Sequence, residues 1–350
     1  MVNEPGDTTA FLAAVEGLPE QLASAHEAAA HVLGPHSLPP PDAIDGIAVL
    51  AVGSAALAGD VLASVANAVL PVPVTLLRQY RLPAFVGPRT LVFALSYSGE
   101  TEETLAMTTD AFAAGACVIT ASNGGSLAVL SERHGGVHVA LPDGLVSRTA
   151  LGALVAPLIV AVFRMGLFPE GHALLVRAQE QLALRRDQCR PEVLGVANPA
   201  REVARRIGRT IPLVYGGGAL GRVAAMRWKA DVNENAKAPA FWNAYPELDH
   251  NEICGWGQHG DVTRQLITVI ELRHGLEHER IDARIVATRE LIREAVHDII
   301  EVEARGEGRL AQVLDLMYFG DWVSCYLALQ NDVDPGPTDA RTALQEALNR

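Results

Sequence analysis

The chain has 350 residues, of which 49% are hydrophobic and 20% charged, and its formal net charge is -13 at pH 7. This composition is typical of an ordered globular protein, and the length favours two domains over a single core. The negative charge argues against binding to nucleic acid or to an anionic membrane surface, so an anionic ligand would have to be held by a local group of residues.

The four cysteines are scattered along the chain without a CxxC pair, so the sequence predicts neither a zinc site nor a disulfide framework. The N-terminal segment MVNEPGDTTAFLAAVEG lacks a basic stretch followed by an apolar one. No uninterrupted apolar run reaches about 18 residues. We therefore expect a cytoplasmic protein that does not span a membrane.

The first half of the chain predicts a leading helix and then an α/β domain. Residues 8–33 are alanine-rich with helical spacing and end in a proline-rich linker, which together define a region over 1–40. From Gly46 to the run VHVALP, short apolar β-branched runs alternate with helical stretches. Such alternation predicts a parallel sheet covered on both faces. A long helical stretch over 147–186 is interpreted as a connector, which closes a first domain at 41–190.

The second half repeats this alternation. The strand-like runs are IPLVYGGG, PAFWNAY, QLITVIEL and HDIIEVEA, and an apolar helix is predicted over 310–330. We predict a second α/β domain over 191–350. The fold class is therefore α/β, with two doubly wound parallel-sheet domains and a leading N-terminal helix.

The motif LSYSGETEETL, at 95–105, predicts a strand that enters a tight turn and then a helix. The hydroxyls of Ser96, Ser98 and Thr101, with the first N–H groups of the helix, would form a cradle for an anion without any lysine. The alternative interpretation is a capping box, with Ser98 or Thr101 as N-cap and a glutamate further on. The two interpretations are compatible.

A second group of polar residues lies in two motifs, RWKADVNENAK and PELDHNE. His250 follows Glu234 by 16 positions, and a carboxylate with a histidine is the usual pair for moving protons near neutral pH. The alternative is that Glu234 forms a surface ion pair and that His250 caps a helix.

In this order and separation, the motifs resemble those of the bifunctional phosphoglucose/phosphomannose isomerases of the sugar isomerase (SIS) domain superfamily. NENAK with PELDHNE is specific to that family, whereas SYSGET is shared with the wider superfamily. The resemblance implies that Glu234 is the base, that His250 opens the sugar ring from the partner subunit, and that Arg148 lies near the enediolate. It implies substrate or phosphate binding by Ser96, Ser98, Thr101, Gly53, Ser54 and Thr338.

The resemblance implies an aldose-ketose isomerase that interconverts glucose 6-phosphate, mannose 6-phosphate or both with fructose 6-phosphate through a cis-enediol. Such proton transfer needs no metal and no other cofactor. The implied partners are a phosphorylated hexose and a second copy of the chain, in a homodimer that shares its active sites. We expect the ligand at the carboxyl ends of the strands.

Two positions depart from the family pattern. The glycine-rich first turn reads AVGSAALAGD here, so that Ala55 replaces a serine, and Gln345 falls where a lysine is expected. These departures keep open an alternative function, a sensor that binds sugar phosphates without turning them over.

Two further patterns are weaker. His274 and His278 have the spacing of metal ligands on a helix, but Gly275 stands where a zincin has glutamate, and we predict no metal site. The glycines of YGGGALG resemble a dinucleotide-binding turn but lack a free acidic residue downstream, so close backbone packing is the simpler explanation.

Overall fold

The computed structural model describes residues 8–34, 38–168 and 170–348. These residues form two units, each with its own parallel sheet. The five-stranded unit comprises Gly17–Ala183 and Gly306–Ala311, and the four-stranded unit comprises 8–16, Leu184–Arg305 and 312–348. The predicted α/β fold class is confirmed, whereas the domain limits at 40 and 190 stay a prediction.

The strands occur in chain order as β1 Gly46–Leu50, β2 Val74–Leu77, β3 Thr90–Leu95, β4 Cys117–Ser122, β5 Val137–Ala140, β6 Ile211–Gly217, β7 Phe241–Tyr245, β8 Ile267–Arg273 and β9 Asp298–Glu303. The sheet orders are β2-β1-β3-β4-β5 and β7-β6-β8-β9, and every pairing is parallel. β3 is buried along its whole length, as expected for the central strand of a sheet covered on both faces.

The helices are α1 Thr8–Glu16, α2 Leu18–Val32, α3 Gly53–Ala66, α4 Glu102–Ala113, α5 Gly125–His134, α6 Leu151–Arg164, α7 Gly171–Cys189, α8 Pro199–Ile207, α9 Gly218–Glu234, α10 Gly260–Leu266, α11 Glu279–Ile292, α12 Arg309–Gln330 and α13 Asp339–Leu348. Short 3₁₀ helices occupy Pro41–Ala43, Ser147–Thr149, Gly195–Ala197, Glu247–His250 and Glu252–Gly257. No described helix is both long and apolar enough to cross a membrane.

One prediction about helices was wrong in detail. The single leading helix is two helices, α1 and α2, because Gly17 separates them and Pro19 occupies a first-turn position of α2, where proline is tolerated. The helical connector predicted over 147–186 consists of two helices, α6 and α7, and the break between Arg164 and Gly171 contains Gly166, whose φ of +74° suits glycine. Residues 35–37 of the predicted linker lie outside the described residues.

Each sheet has its own hydrophobic core. In the five-stranded unit the core includes Ala48, Leu50, Val92 and Met107, and in the four-stranded unit it is built around Tyr215, Tyr245 and Val269. The strand order changes direction at β1 in one sheet and at β6 in the other. In open parallel sheets such switch points place the loops after neighbouring strands around a crevice.

Candidate active site

The predicted phosphate loop follows β3 and is held together by its own hydroxyls. Ser96 is 2% exposed, its Oγ lies 2.8 Å from Thr101 Oγ1, and it also accepts a hydrogen bond from the Gly99 N–H at 3.1 Å. Ser98 Oγ accepts from the Glu100 N–H at 3.3 Å. The turn therefore has a fixed shape, and all three hydroxyl residues lie at the carboxyl edge of the five-stranded sheet.

A neighbouring turn after β4 supports this loop. Gly99 has a φ of +73°, and a Cβ there would collide with the carbonyl oxygen of Gly124. A Cβ on Gly125, whose φ is +70°, would lie 2.5 Å from Ser98 O. The Glu100 carboxylate accepts from the N–H and the hydroxyl of Ser126, at 2.7 and 2.8 Å. The two turns pack so closely that only glycine fits at the contact.

The capping-box interpretation of this motif was right about the N-cap position and wrong about the hydrogen bonds. Thr101 is the N-cap residue of α4, but its side chain makes no capping hydrogen bond and contacts Ser96 instead. Glu100 binds the first turn of α5 rather than that of α4. The start of α4 therefore has no side-chain cap, which is the arrangement that leaves helix N–H groups available to an anion.

Gly53 and Ser54 begin α3, directly after β1 and beside the phosphate loop at the switch point. Gly53 has a φ of +59°, and no atom lies within 4 Å of the position where its Cβ would be. Ser54 is half-buried and Ala55 is 5% exposed. The open space beside Gly53 allows a ligand to approach the main chain here, whereas the departure at Ala55 is a buried methyl group.

Arg148 lies in the 3₁₀ helix Ser147–Thr149 after β5, and its side chain is 1% exposed. This 3₁₀ helix contacts α3. Tyr97, inside the phosphate loop, donates its hydroxyl to Pro142 O at 2.9 Å and accepts from the Leu145 N–H at 2.8 Å. The segment that leads to Arg148 is thus fastened to the phosphate loop.

Glu234 is the last residue of α9 in the four-stranded unit. Its Oε2 atom is buried and has no hydrogen-bond partner among the described residues. Its polar neighbours each have a structural partner: Asn233 Nδ2 donates to Ala238 O (2.8 Å), Asn235 Nδ2 to Ser324 Oγ (2.9 Å), and Lys237 Nζ to Glu234 O (2.6 Å) and Pro335 O (3.2 Å). The interpretation of Glu234 as one half of a surface ion pair was wrong, because it forms none with the described residues.

His250 is the exposed last residue of the 3₁₀ helix Glu247–His250. The side chains around it are engaged: Leu248 lies in the core, Asp249 binds Arg284 and Thr288 at 3.0 and 2.9 Å, and Glu252 accepts from Tyr215 and from Asn243 (2.6 Å). Among the described residues the ring of His250 makes no hydrogen bond. The prediction that it caps a helix was therefore wrong, and the motif presents the imidazole to its surroundings.

Glu234 and His250 lie at opposite edges of the same sheet. α9 begins directly after β6 and returns antiparallel to it over 17 residues, about 25 Å, which is roughly the length of the strand. Glu234 therefore lies near the amino ends of the strands, whereas His250 follows the carboxyl end of β7. The expectation of a ligand at the carboxyl ends stays a prediction. Glu234 does not lie at that edge of the sheet, and one subunit does not bring the two side chains together.

The C-terminal loop lies on the same side as Glu234. Lys237 bridges the carbonyl oxygens of Glu234 and Pro335, and Thr338 follows three residues later, half-buried. Lys237 is one of only two lysines in the chain, beside 26 arginines. Gln345, the second departure, is exposed on α13, a helix with no buried residue. Sequence reasoning missed this role of Lys237, although its place in NENAK was visible.

The weaker motifs have structural roles. His274 Nε2 donates to Gly217 O at 3.0 Å while its Nδ1 accepts from the Leu276 N–H at 3.3 Å, and His278 caps α11 through Nδ1. Groups of three or more metal-binding side chains do not occur among the described residues. A Cβ on Gly216 would collide with Gly221 O, so the glycines of YGGGALG do allow close packing of β6 on α9.

Comparison with known proteins finds relatives that span almost the whole chain. Residues 196–348 match the model of the bacterial phospho-glucose isomerase C-terminal SIS domain. A bifunctional phosphoglucose/phosphomannose isomerase of Caldicellulosiruptor bescii is 33% identical over 334 residues, which cover 95% of this chain and 97% of the relative. The chain belongs to the bifunctional phosphoglucose/phosphomannose isomerase family.

Other relatives share the name or the fold. The bifunctional phosphoglucose/phosphomannose isomerase of Thermoplasma acidophilum is 31% identical over 87% of this chain and 89% of its own. Among solved structures, a hypothetical protein of Thermus thermophilus superposes with a TM-score of 0.73 at 17% identity, covering 100% of this chain and 91% of that one. The latter likeness establishes the fold alone.

Proposed function

We propose that this protein is a phosphosugar isomerase that interconverts glucose 6-phosphate and mannose 6-phosphate with fructose 6-phosphate. Its relatives in the family carry the name of these two activities. The observation that carries the proposal is the buried, unpartnered Oε2 of Glu234, at the end of a helix whose other motif residues all have structural partners. The relatives give no support to the alternative of a sensor without turnover.

The phosphate of the substrate binds at the loop after β3. Ser96, Ser98 and Thr101 supply hydroxyls, and the uncapped start of α4 supplies N–H groups and the positive end of its dipole. Gly53 and Ser54 border the same crevice from α3. This mode of binding suits a chain with a net charge of -13, because it needs no basic patch.

The chemistry is proton transfer. His250 moves a proton to open the pyranose ring and expose the aldehyde. Glu234 then removes the proton at C2 and returns it at C1 through a cis-enediol, which converts the aldose into the ketose. Arg148 stabilises the negative charge that develops on the intermediate oxygens, and its burial keeps the guanidinium in one orientation, as preorganised electrostatic stabilisation requires.

The active site is shared between two subunits of a homodimer. Glu234 and His250 lie at opposite edges of one sheet, so a complete site takes His250 from the partner subunit. An exposed imidazole without intrachain hydrogen bonds is available for this role. Thr338, in the loop that Lys237 ties to Glu234, leaves room for either epimer at C2.

A coupled assay for fructose 6-phosphate formation from both aldoses tests the proposal. We expect turnover with both, and we expect Glu234→Gln to lower kcat by about 10²–10⁴-fold, because the amide cannot accept the proton. Glu202→Gln is the matched control, since Glu202 is an ion-paired glutamate of α8 in the same unit. Full activity in Glu234→Gln, or no turnover by the unaltered protein, would overturn the proposal.

A further inference from the structure

A buried charge cluster lies directly behind Glu234. Arg227 and Asp231 of α9 and Asp321 of α12 are 2, 1 and 5% exposed. Arg227 Nε donates to Asp321 Oδ1 at 2.9 Å and lies 2.8 Å from Asp231 Oδ2, while its Nη2 lies 2.9 Å from Asp321 Oδ1. Both carboxyl groups therefore meet the same edge of one guanidinium.

Glu234 continues this cluster along α9. It follows Asp231 by three positions and Arg227 by seven, a spacing that places all three on one face of the helix. The face is fixed against α12, because Asn235 binds Ser324 and because Trp228 Nε1 donates to Leu316 O at 2.7 Å. The position of the Glu234 backbone thus depends on the same contact between helices that holds the cluster.

The number of charges does not balance if every group is ionised. Asp231, Asp321 and Glu234 would carry three negative charges, and Arg227 is the cation that the described residues place against them. Burying a charge without a counter-ion costs free energy. Two carboxyl groups that share one counter-ion lower this free energy when they keep one proton between them. Burial raises the pKa of Asp231 well above its usual range; the charge of Arg227 opposes this rise, and Asp321 and Glu234 add to it.

We propose that Asp231 and Asp321 share one proton, and that this acid pair is a positioning group that sets the proton affinity of Glu234. With one proton the pair carries a single negative charge, which Arg227 neutralises, so the cluster behind Glu234 is neutral. Two further groups among the described residues lie near this cluster: Lys237, at the Glu234 carbonyl, and Tyr318 of α12, which is near Asp321. The role in catalysis rests on the proposed function; the shared proton does not.

The pH dependence of kcat/KM in the dimeric enzyme separates the possibilities. If the pair shares one proton, either single variant, Asp231→Asn or Asp321→Asn, leaves the net charge of the cluster unchanged. The remaining aspartate then ionises against Arg227. We expect each single variant to move the acid limb by less than about half a pH unit. The double variant leaves Arg227 uncompensated, which favours ionised Glu234, so its acid limb moves to lower pH by about one unit.

Asp315→Asn is the matched control, because Asp315 is a buried aspartate of α12 that pairs with Arg185 at 2.5 Å, away from Glu234. Its pH profile should not change. Single variants that each shift the limb by a full unit, with effects that add in the double variant, would mean that both aspartates are ionised and would overturn the proposal. A double variant with an unmoved limb would overturn it as well.

Infrared spectroscopy tests the shared proton without relying on activity. We expect the unaltered protein at neutral pH to show a protonated-carboxyl band that shifts on ¹³C-aspartate labelling, remains in Asp315→Asn and is lost in both single variants. Absence of the band from the unaltered protein would refute the acid pair. An inactive protein that shows the band would contradict the isomerase function and leave the pair standing.

Discussion

At the scale of residues, each motif contains some side chains that form structural hydrogen bonds and others that form none and so remain available to a substrate. In NENAK, both asparagines and the lysine hold the main chain around Glu234, whose Oε2 stays without a partner. The sequence could predict Glu234 and His250 as a proton-transferring pair from their residue types. It could not predict that Asn235 is engaged, because its partner Ser324 lies 89 residues further along the chain.

A histidine contact in the five-stranded unit makes a prediction about pH and stability. His26 Nε2 lies 3.1 Å from His172 Nδ1. Burial, followed by the charges of His172 and Arg164, lowers the pKa of His26 below its ordinary value of 6.5, although Glu27 opposes the shift. The unfolded chain therefore binds the proton more readily, and the free energy of unfolding falls as the pH drops below about 6.5.

The variant His26→Gln removes this titration. We expect its free energy of unfolding to fall less between about pH 7 and pH 5 than that of the unaltered protein, because one source of proton uptake on unfolding is gone. Urea denaturation at a series of pH values measures the difference. Equal slopes in the two proteins would show that the His26 contact has no effect on stability in this range.

At the scale of elements, the site depends on how closely turns approach one another. The alternation of apolar runs predicted all nine strands, since a buried parallel strand leaves an unmistakable pattern. Helices α5, α8, α10 and α13 were not predicted. α8 and α10 are short, with 9 and 7 residues. α13 carries apolar residues at helical spacing, Leu344 and Leu348 among them, which the sequence analysis missed and which are exposed in the structure. The contact between the turns after β3 and β4 was also not predictable, because it joins two glycine-containing segments across the sheet.

The substitution Gly99→Ala tests that contact. Residue 99 has a φ of +73°, so a side chain there costs about 1–2 kcal/mol of left-handed backbone strain. The added methyl group also collides with Gly124 O, and such overpacking costs about 1–3 kcal/mol. The phosphate loop has to move, so we expect KM for both aldose phosphates to rise about tenfold, which corresponds to about 1.4 kcal/mol of binding free energy.

Gly135→Ala is the control for this substitution. Gly135 has a φ of +69° at the end of α5, and nothing lies within 4 Å of the position of its Cβ. We expect only the left-handed strain, seen as a modest loss of stability in thermal unfolding, and an unchanged KM. If the two variants had the same KM, the close approach of the two turns would not shape the phosphate site.

At the scale of the whole molecule, the two parallel sheets were predictable, but the placement of Glu234 and His250 at opposite edges of one sheet was not. Sequence spacing places His250 only 16 positions after Glu234. In the structure, α9 returns from the carboxyl edge of the sheet to its amino edge and ends at Glu234. The chain then runs along the complete strand β7 before it reaches His250, so the two residues lie at opposite edges of the sheet. We therefore propose that a site with both residues takes them from two copies of the chain.

Subunit complementation tests this central claim most directly. Glu234→Gln and His250→Asn are each expected to be inactive, and the two proteins are mixed under conditions that allow subunits to exchange. In the mixed dimer one site combines both substitutions and the other has neither, so random exchange should restore about a quarter of the unaltered activity. Recovery to that level in the coupled assay is the predicted result. A mixture that exchanges subunits, as shown by mass measurement, and remains as inactive as its components would contradict the shared site.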